Sequence, residues 1–184
     1  MINLEPQFER DGEAFELIKE RFTVPWLPLA HEASLIKSEI LPPSELVTSV
    51  HGLLLRGDEI LFVDNDSRGL EIPGGHVDPG EDLETALRRE CLEEASVTLE
   101  AVMPFASLKL HKFEKQEERE KYPFPVSYLC FFVAQIETLE KFDNSFETSS
   151  RVFIPLEEVM EVPWAQRNEE LIRALQRLVA DEIK

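Results

Sequence analysis

Basic residues and cysteines are scarce in this chain. It carries 19 lysines and arginines against 37 aspartates and glutamates, which gives a formal net charge of −18. This excess of negative charge repels phosphate backbones and anionic lipid headgroups, so we expect neither nucleic acid polymers nor membranes as partners. The two cysteines, Cys91 and Cys130, belong to no CxxC pair. The sequence therefore excludes a disulfide framework and offers no support for a structural zinc site.

Long apolar runs and a leader-like start are also lacking. The longest apolar stretches, such as residues 128–134, are far shorter than the roughly 20 residues that cross a membrane. The first residues, MINLEPQFERDGEAF, contain neither the basic nor the apolar region of a secretory signal. A reducing, cytoplasmic setting is the expected location.

The organisation of the chain changes after residue 43, where two prolines adjoin. Residues 1–43 are predicted to be an N-terminal helical extension. Apolar residues recur at helical spacing within residues 12–22, and residues 31–41 suit a second short helix. Residues 44–184 have the size of one domain. We expect the extension to pack on this domain or on a partner subunit.

The domain itself mixes strands with helices and shows no regular βαβ repetition. A loop rich in glycine and proline, residues 73–80, precedes a helix predicted over 82–95, and a second helix is predicted near the C-terminus. This pattern indicates an α/β or α+β fold with a mixed sheet. The predicted strands cover residues 46–55, 59–63, 70–72, 97–110, 125–136 and 151–154.

The helix over 82–95 has an acidic end that helix stability alone does not explain. Glu90, Glu93 and Glu94 occupy positions i, i+3 and i+4, so they share one face. They lie in the last turns, where the helix dipole disfavours anions, and the like-charge pair Glu90–Glu94 costs roughly 0.2–0.5 kcal/mol. A divalent cation such as Mg²⁺, which prefers carboxylate oxygens, would resolve this conflict. On these residues alone, a solvated face of helix-forming glutamates is the competing interpretation.

The loop before the helix favours the cation. Gly74 and Gly75 have no side chains, so their backbone amides and carbonyls can approach a ligand closely. Pro79 and Gly80 mark a turn, and Asp82 suits the N-cap of the helix. Glycines at fixed offsets from an acidic face are more than a plain turn requires.

Together these residues resemble the Nudix box, whose pattern is GX5EX7REUXEEXGU with U a bulky aliphatic residue. Gly75, Glu81 and the run Arg89-Glu90-Cys91-Leu92-Glu93-Glu94-Ala95-Ser96-Val97 occupy its positions. Several charged residues at set spacing make a chance match improbable. The resemblance covers about residues 46–183 and implies an α/β fold, the Nudix-type α/β/α sandwich with a mixed β-sheet.

Two positions depart from the pattern. Cys91 replaces the usual aliphatic residue but is small and can be buried. Ser96 replaces the usual glycine at the C-terminal end of the helix, where a left-handed conformation is favoured. Serine in that conformation costs about 1 kcal/mol, which puts the geometry of the helix end in question.

The resemblance implies a hydrolase that uses Mg²⁺ or Mn²⁺. Such a pyrophosphohydrolase cleaves the diphosphate linkage of a nucleoside diphosphate derivative by metal-assisted attack of water. A nucleoside triphosphate, oxidised forms included, is the favoured substrate. The implied metal ligands are Glu90, Glu93, Glu94 and the carbonyl of Gly74.

The remaining site residues are expected partly from the resemblance and partly from their positions in the chain. Arg89 and Glu81 would orient the carboxylates by ion pairing, and Arg89, Glu93 and Glu94 would take part in catalysis. The first choice for the general base is Glu147, in the loop before the last strand, and Glu94 is the alternative. Weaker candidates are Glu117, Glu118, Glu120 and Glu140, and the residues expected to bind substrate are Gly75, His76 and Arg68.

Two other functions share the fold. A catalytically silent Nudix module that binds a nucleotide or a protein is one, although such modules usually lose a carboxylate of the box. An enzyme like isopentenyl-diphosphate isomerase is the other, but its catalytic cysteine has no counterpart that we can place. Phe124, Tyr128, Trp26 and Trp164 are more typical of a core than of a stacking surface, although one of the aromatics near the cleft could stack on a nucleobase. A homodimer is compatible with the sequence.

Overall fold

The computed structural model describes residues 15–115, 122–142 and 148–182. In this part of the chain, strands dominate and three α-helices lie between and after them. Two single-turn 3₁₀ helices, Ser44–Leu46 and Val159–Glu161, occupy connections. The strands are β1 (Glu16–Phe22), β2 (His31–Lys37), β3 (Val47–Arg56), β4 (Glu59–Asn65), β5 (Gly69–Glu71), β6 (Gly74–His76), β7 (Val97–Lys112), β8 (Val126–Leu139) and β9 (Thr148–Pro155); the helices are α1 (Leu83–Ala95), α2 (Pro163–Arg167) and α3 (Glu169–Glu182).

All nine strands join one sheet in the order β1-β2-β7-β8-β3-β4-β5, with β6 paired to β3 and β9 paired to β4. The pairing of β3 with β8 is parallel and the other pairings are antiparallel. The sheet is therefore mixed, as the sequence predicts.

Both faces of the sheet are buried at its centre, and this explains the apolar runs in the central strands. Along β4, Ile60 and Phe62 face one apolar cluster, whereas Leu61 and Val63 face the other. Alternate residues of a strand point to opposite faces. Helix α1 covers one face and α3 covers the other, so the α/β/α sandwich is confirmed. The covering residues include Leu83, Leu87 and Cys91 of α1 and Leu171, Ile172 and Leu175 of α3.

The prediction of two helices in the N-terminal extension was wrong, because its described part forms β1 and β2. Strand β2 pairs along its whole length with β7, from His31 opposite Lys112 to Lys37 opposite Ala106. Helices this short are marginal in water, whereas β7 offers an edge of unpaired backbone groups. Alternate residues of β2, among them Ala33 and Leu35, then enter the core beside α3. The extension packs on the main domain as part of its sheet, and the domain boundary at residue 43 stays a prediction.

The loop predicted over residues 73–80 also contains a strand. Residues of β6 pair with β3, with Gly74 opposite His51 and Gly75 opposite Val50. Two glycines carry little signal for a strand, so the sequence pattern could not reveal this pairing. The other predicted strands and the helix predicted over 82–95 agree with the structure to within three residues at each described end, and the helix predicted near the C-terminus is α3.

No helix among the described residues is long and apolar enough to cross a membrane.

Candidate active site

Helix α1 carries the acidic residues, and its two ends are well defined. Asp82 is the N-cap, and its carboxylate accepts a hydrogen bond of 3.0 Å from the backbone N–H of Thr85. At the other end, Ser96 adopts the left-handed conformation (φ 50°, ψ 51°), and its N–H donates to carbonyls of the last turn. The predicted departure at Ser96 therefore leaves the helix end in the geometry that glycine usually provides. Leu87 and Cys91 are buried against the sheet, and the neighbouring Glu90 and Glu94 meet the glycines of β6.

Arg89 organises the acidic face. Its Nε and Nη2 atoms donate to the two carboxylate oxygens of Glu81, at 3.0 and 2.9 Å. Its Nη1 lies 2.8 Å from Glu90 Oε1 and 3.5 Å from Glu93 Oε2. Nη2 also donates to the carbonyl of His76, at 3.0 Å. One guanidinium thus ties the loop, strand β6 and two of the three glutamates together.

The hydrogen bonds of the Arg89 guanidinium determine the charge states of its partners. The hydrogen bonds from Arg89 hold the pKa of Glu81 below its usual value. The hydrogen bond with Glu81 in turn raises the pKa of Arg89 further above its already high value. Glu81 and Arg89 therefore stay ionised throughout the neutral range. A fixed cation next to Glu90 and Glu93 offsets part of their mutual repulsion.

The two glycines of β6 bring its backbone into contact with the helix. The N–H of Gly74 donates to Glu94 Oε2 at 2.9 Å. An ideal Cβ added at Gly75 would lie 2.5 Å from Glu90 Oε1, so this carboxylate occupies the space that any side chain would need. Glu90 and Glu94 therefore converge on adjacent peptide groups of one strand.

His51 of β3 lies next to β6. It lies opposite Gly74 in the β3–β6 pairing, its Nε2 is 3.2 Å from Ser49 Oγ, and its ring packs at 5.6 Å from that of Phe131. Desolvation lowers the pKa of His51 to about 4. The imidazole is therefore neutral at pH 7 and adds no charge beside the acidic face.

Comparisons with known proteins agree with this geometry. The family model described as the NUDIX domain matches residues 45–175, which is more than half of the chain. The chain belongs to the Nudix family. No curated protein matches it.

Solved structures of the same fold are distant in sequence. The Bacillus subtilis pyrophosphohydrolase BsRppH superposes with a TM-score of 0.61 at 22% identity, over 86% of this chain and 96% of that one. A C. elegans Ap4A hydrolase gives a TM-score of 0.52 at 22% identity, over 72% and 98%. The NUDIX domain of Shewanella oneidensis NrtR, solved with ADP ribose, gives 0.54 at 17% identity, over 74% and 90%. At these identities the likeness shows the Nudix fold.

The structure brings most of the predicted Nudix-box residues together. Glu81, Arg89, Glu90 and Glu93 form one ion-pair network, and Glu94 joins it through Gly74 of β6. Their roles in metal binding and catalysis stay predictions.

Of the other predicted residues, His76, Arg68 and Glu140 lie among the described residues. The Nε2 atom of His76 is 3.0 Å from the hydroxyl of Tyr122. Arg68, about half exposed between β4 and β5, pairs at 2.8 Å with Glu71. The backbone carbonyl of Glu140 accepts a hydrogen bond from an arginine of β9. The preferred base Glu147 and the weaker candidates Glu117, Glu118 and Glu120 lie outside the described residues, so their roles stay predictions.

Sequence reasoning missed the residues of β9 that hold the acidic end of α1. The hydroxyl of Thr148 donates to the carbonyl of Glu94 at 2.6 Å. Arg151 Nη1 donates to the carbonyls of Ala95 and Ser96, at 2.9 and 2.7 Å, and Nη2 donates to Glu140 at 2.8 Å. These bonds satisfy carbonyls that a helix end leaves without partners, and they place a positive charge at the negative end of the helix dipole. A lone arginine on a predicted strand gives no signal of such a role.

The donor set suits a hard divalent cation in kind, since it offers carboxylates and a backbone carbonyl. In the described ranges no three histidine, cysteine or acidic side chains are grouped closely enough to form a metal centre by themselves. Glu90 and Glu93 instead share Arg89 Nη1, and Glu94 bonds to a backbone N–H. Three carboxylates on one helix face, with an arginine between two of them, fit a cation that would compete with Arg89 for the same oxygens.

Proposed function

We propose that this Nudix protein hydrolyses the diphosphate linkage of a nucleoside diphosphate derivative with the help of Mg²⁺ or Mn²⁺. A nucleoside triphosphate, oxidised forms included, is the favoured substrate. The observation that carries the proposal is the convergence of Glu90 and Glu94 on Gly75 and Gly74, beside the Arg89–Glu81 pair. Nudix hydrolases generally act on phosphoric anhydrides, so the family and the geometry support the same reaction.

Glu90, Glu93, Glu94 and the carbonyl of Gly74 would hold the metal. When bound, a divalent cation supplies neutralisation of the diphosphate charge and activation of a water molecule. The chain's own contribution is positioning, because Arg89 and Glu81 fix the carboxylates. The backbone of Gly75 and the side chains of His76 and Arg68 would contact the substrate. Either Glu147 or Glu94 would take the proton of the attacking water.

The metal and the substrate can be tested together. We expect turnover of one class among canonical and 8-oxo nucleoside triphosphates, ADP-ribose, NADH, dinucleoside polyphosphates and nucleotide sugars, with Mg²⁺ or Mn²⁺ present and not with EDTA. Glu94→Gln should reduce kcat by about 100-fold or more, since it removes a charge at the reacting centre.

Glu84→Gln is the matched control. Glu84 lies on the same helix but is exposed and pairs with Arg88, so its variant should keep full activity. If the protein binds Mn²⁺ yet turns over no member of the panel, the hydrolase proposal fails and the catalytically silent binding module replaces it. A cytoplasmic location and a homodimer stay predictions.

A further inference from the structure

A cavity beside the candidate active site is built partly from the N-terminal extension. Leu27 and Leu29, in the connection between β1 and β2, form one wall. The end of β7 contributes Lys112, the residues beyond it contribute Glu114 and Lys115, and the segment before β8 contributes Tyr122 and Phe124. The cavity therefore combines aliphatic, aromatic and charged groups.

The wall from the extension is held in place by a buried histidine. His31 Nε2 accepts a hydrogen bond from the N–H of Val24 at 2.9 Å, and its Nδ1 bonds to the carbonyl of Leu29 at 2.6 Å. Leu27 N–H also donates to the carbonyl of Val24, at 3.2 Å. The turn that carries Leu27 and Leu29 is thus shaped before any ligand arrives.

Lys112 is the unusual group in the cavity. It is 9% exposed, and desolvation lowers the pKa of its ammonium. The ammonium donates to the carbonyl of Pro123 and to Ser127 Oγ, and none of the ion pairs among the described residues includes it. An ammonium has three donors, so one remains for an acceptor in the cavity.

Tyr122 connects the cavity to the candidate active site. Its hydroxyl lies 3.0 Å from Nε2 of His76, and the two rings are 5.8 Å apart. His76 follows Gly75 directly on β6, and its carbonyl bonds to Arg89. Tyr122 and His76 therefore link the cavity to the strand whose backbone contacts the acidic face.

We propose that this cavity binds the nucleobase of the substrate and that it selects guanine. Phe124 is 45% exposed and, with Tyr122, offers ring faces on which a base can stack. Guanine carries two adjacent acceptors, O6 and N7, which are the usual partners of a lysine ammonium. The opposite edge of guanine carries N–H donors, and the carboxylate of Glu114 can accept hydrogen bonds from them. Adenine presents an amino donor where guanine has O6, so Lys112 disfavours it.

The cavity proposal rests on the hydrolase proposal only for the orientation of the substrate. Measuring nucleotide binding without turnover tests the cavity separately. Isothermal titration in EDTA with GMP, AMP, CMP and ribose 5-phosphate gives the affinities. We expect GMP to bind about tenfold more tightly than AMP and CMP, and ribose 5-phosphate to bind weakest. Lys112→Met should remove the preference for GMP over AMP.

Two further variants keep the test decisive. Phe124→Ala changes an exposed residue, so it should fold normally and weaken GMP and AMP alike by about fivefold or more. Lys109→Met is the matched control, because Lys109 lies three residues before Lys112 on β7 and points to the opposite face. It should leave all four affinities unchanged.

Equal affinities for GMP, AMP and ribose 5-phosphate would show that the cavity recognises phosphate alone and would overturn the proposal. GMP binding that survives both Lys112→Met and Phe124→Ala would overturn it as well. A preference for GMP without turnover of any nucleotide would refute the hydrolase and leave the cavity standing. Turnover with no preference among bases would support the hydrolase and refute the cavity proposal.

Discussion

Two adjacent glycines of β6 are required for different physical reasons. Gly74 has φ of 153°, which side chains disfavour, and a Cβ there would overlap the backbone carbonyl oxygen of Val50. The Cβ of an alanine at position 75 would instead meet the end of the Glu90 side chain. Backbone cannot move aside cheaply, whereas a carboxylate on a flexible side chain can.

Alanine substitutions should therefore separate stability from activity. We expect Gly74→Ala to lower the free energy of unfolding by about 3 kcal/mol, because it strains the central sheet. Gly75→Ala should cost about 1 kcal/mol or less but reduce Mn²⁺ affinity and kcat by about tenfold or more, because it displaces Glu90. Urea denaturation and Mn²⁺ titration measure the two effects. Equal losses of stability in the two variants would contradict this account.

At the scale of the element, α1 is a helix whose acidic end is stabilised from outside. Three glutamates at the negative end of the dipole oppose helix formation, and the carbonyls of Glu94, Ala95 and Ser96 accept hydrogen bonds from β9. Arg151 supplies both positive charge and hydrogen bonds to two of these carbonyls. The helix that carries the candidate site is thus completed by a residue distant in sequence.

Replacing Arg151 should loosen that end of the helix. We expect Arg151→Met to lower the free energy of unfolding by about 2 kcal/mol, since it leaves polar groups without partners, and to weaken Mn²⁺ binding. Arg88→Met is the control, because Arg88 also joins α1 to a backbone carbonyl, that of Leu99, but lies away from the acidic face. It should lower stability with Mn²⁺ affinity unchanged. Unchanged Mn²⁺ affinity in Arg151→Met would show that β9 supports the fold alone.

At the scale of the molecule, β1 and β2 extend the Nudix sheet beyond β7. Leu35 of β2 is buried within the same apolar cluster as Leu171 and Leu175 of α3. The extension therefore contributes to the core of the domain, in addition to forming one wall of the proposed base cavity.

A core substitution in β2 should then affect the whole domain. We expect Leu35→Ala to lower the free energy of unfolding by about 2–4 kcal/mol in a single transition. Glu32→Ala, on a partly exposed position of the same strand, should change it by less than about 0.5 kcal/mol. Thermal unfolding followed by circular dichroism distinguishes the two. If Leu35→Ala instead lowers the stability of a separate transition at lower temperature, β1 and β2 form an independent unit.

Local patterns were sufficient for much of the domain. Helix α1 follows from its N-cap Asp82, its buried face and its spacing of charges, and the hairpin of β3 and β4 follows from Gly57-Asp58 between two apolar runs. These signals lie within a few residues of one another, so a sequence displays them directly. The grouping of Glu81, Arg89, Glu90 and Glu93 in one ion-pair network follows in the same way.

Contacts between distant segments decided the remainder. Residues 16–22 and 31–37 became strands because β7 presented an unpaired edge, a fact that their own spacing does not contain. The partnership of Tyr122 with His76 joins residues 46 positions apart, and that of Thr148 with Glu94 joins residues 54 apart. The sequence by itself determined the family and the acidic helix, because their signals lie close together along the chain. The tertiary structure alone decided which side chains surround that helix, because their positions depend on how the whole sheet is assembled.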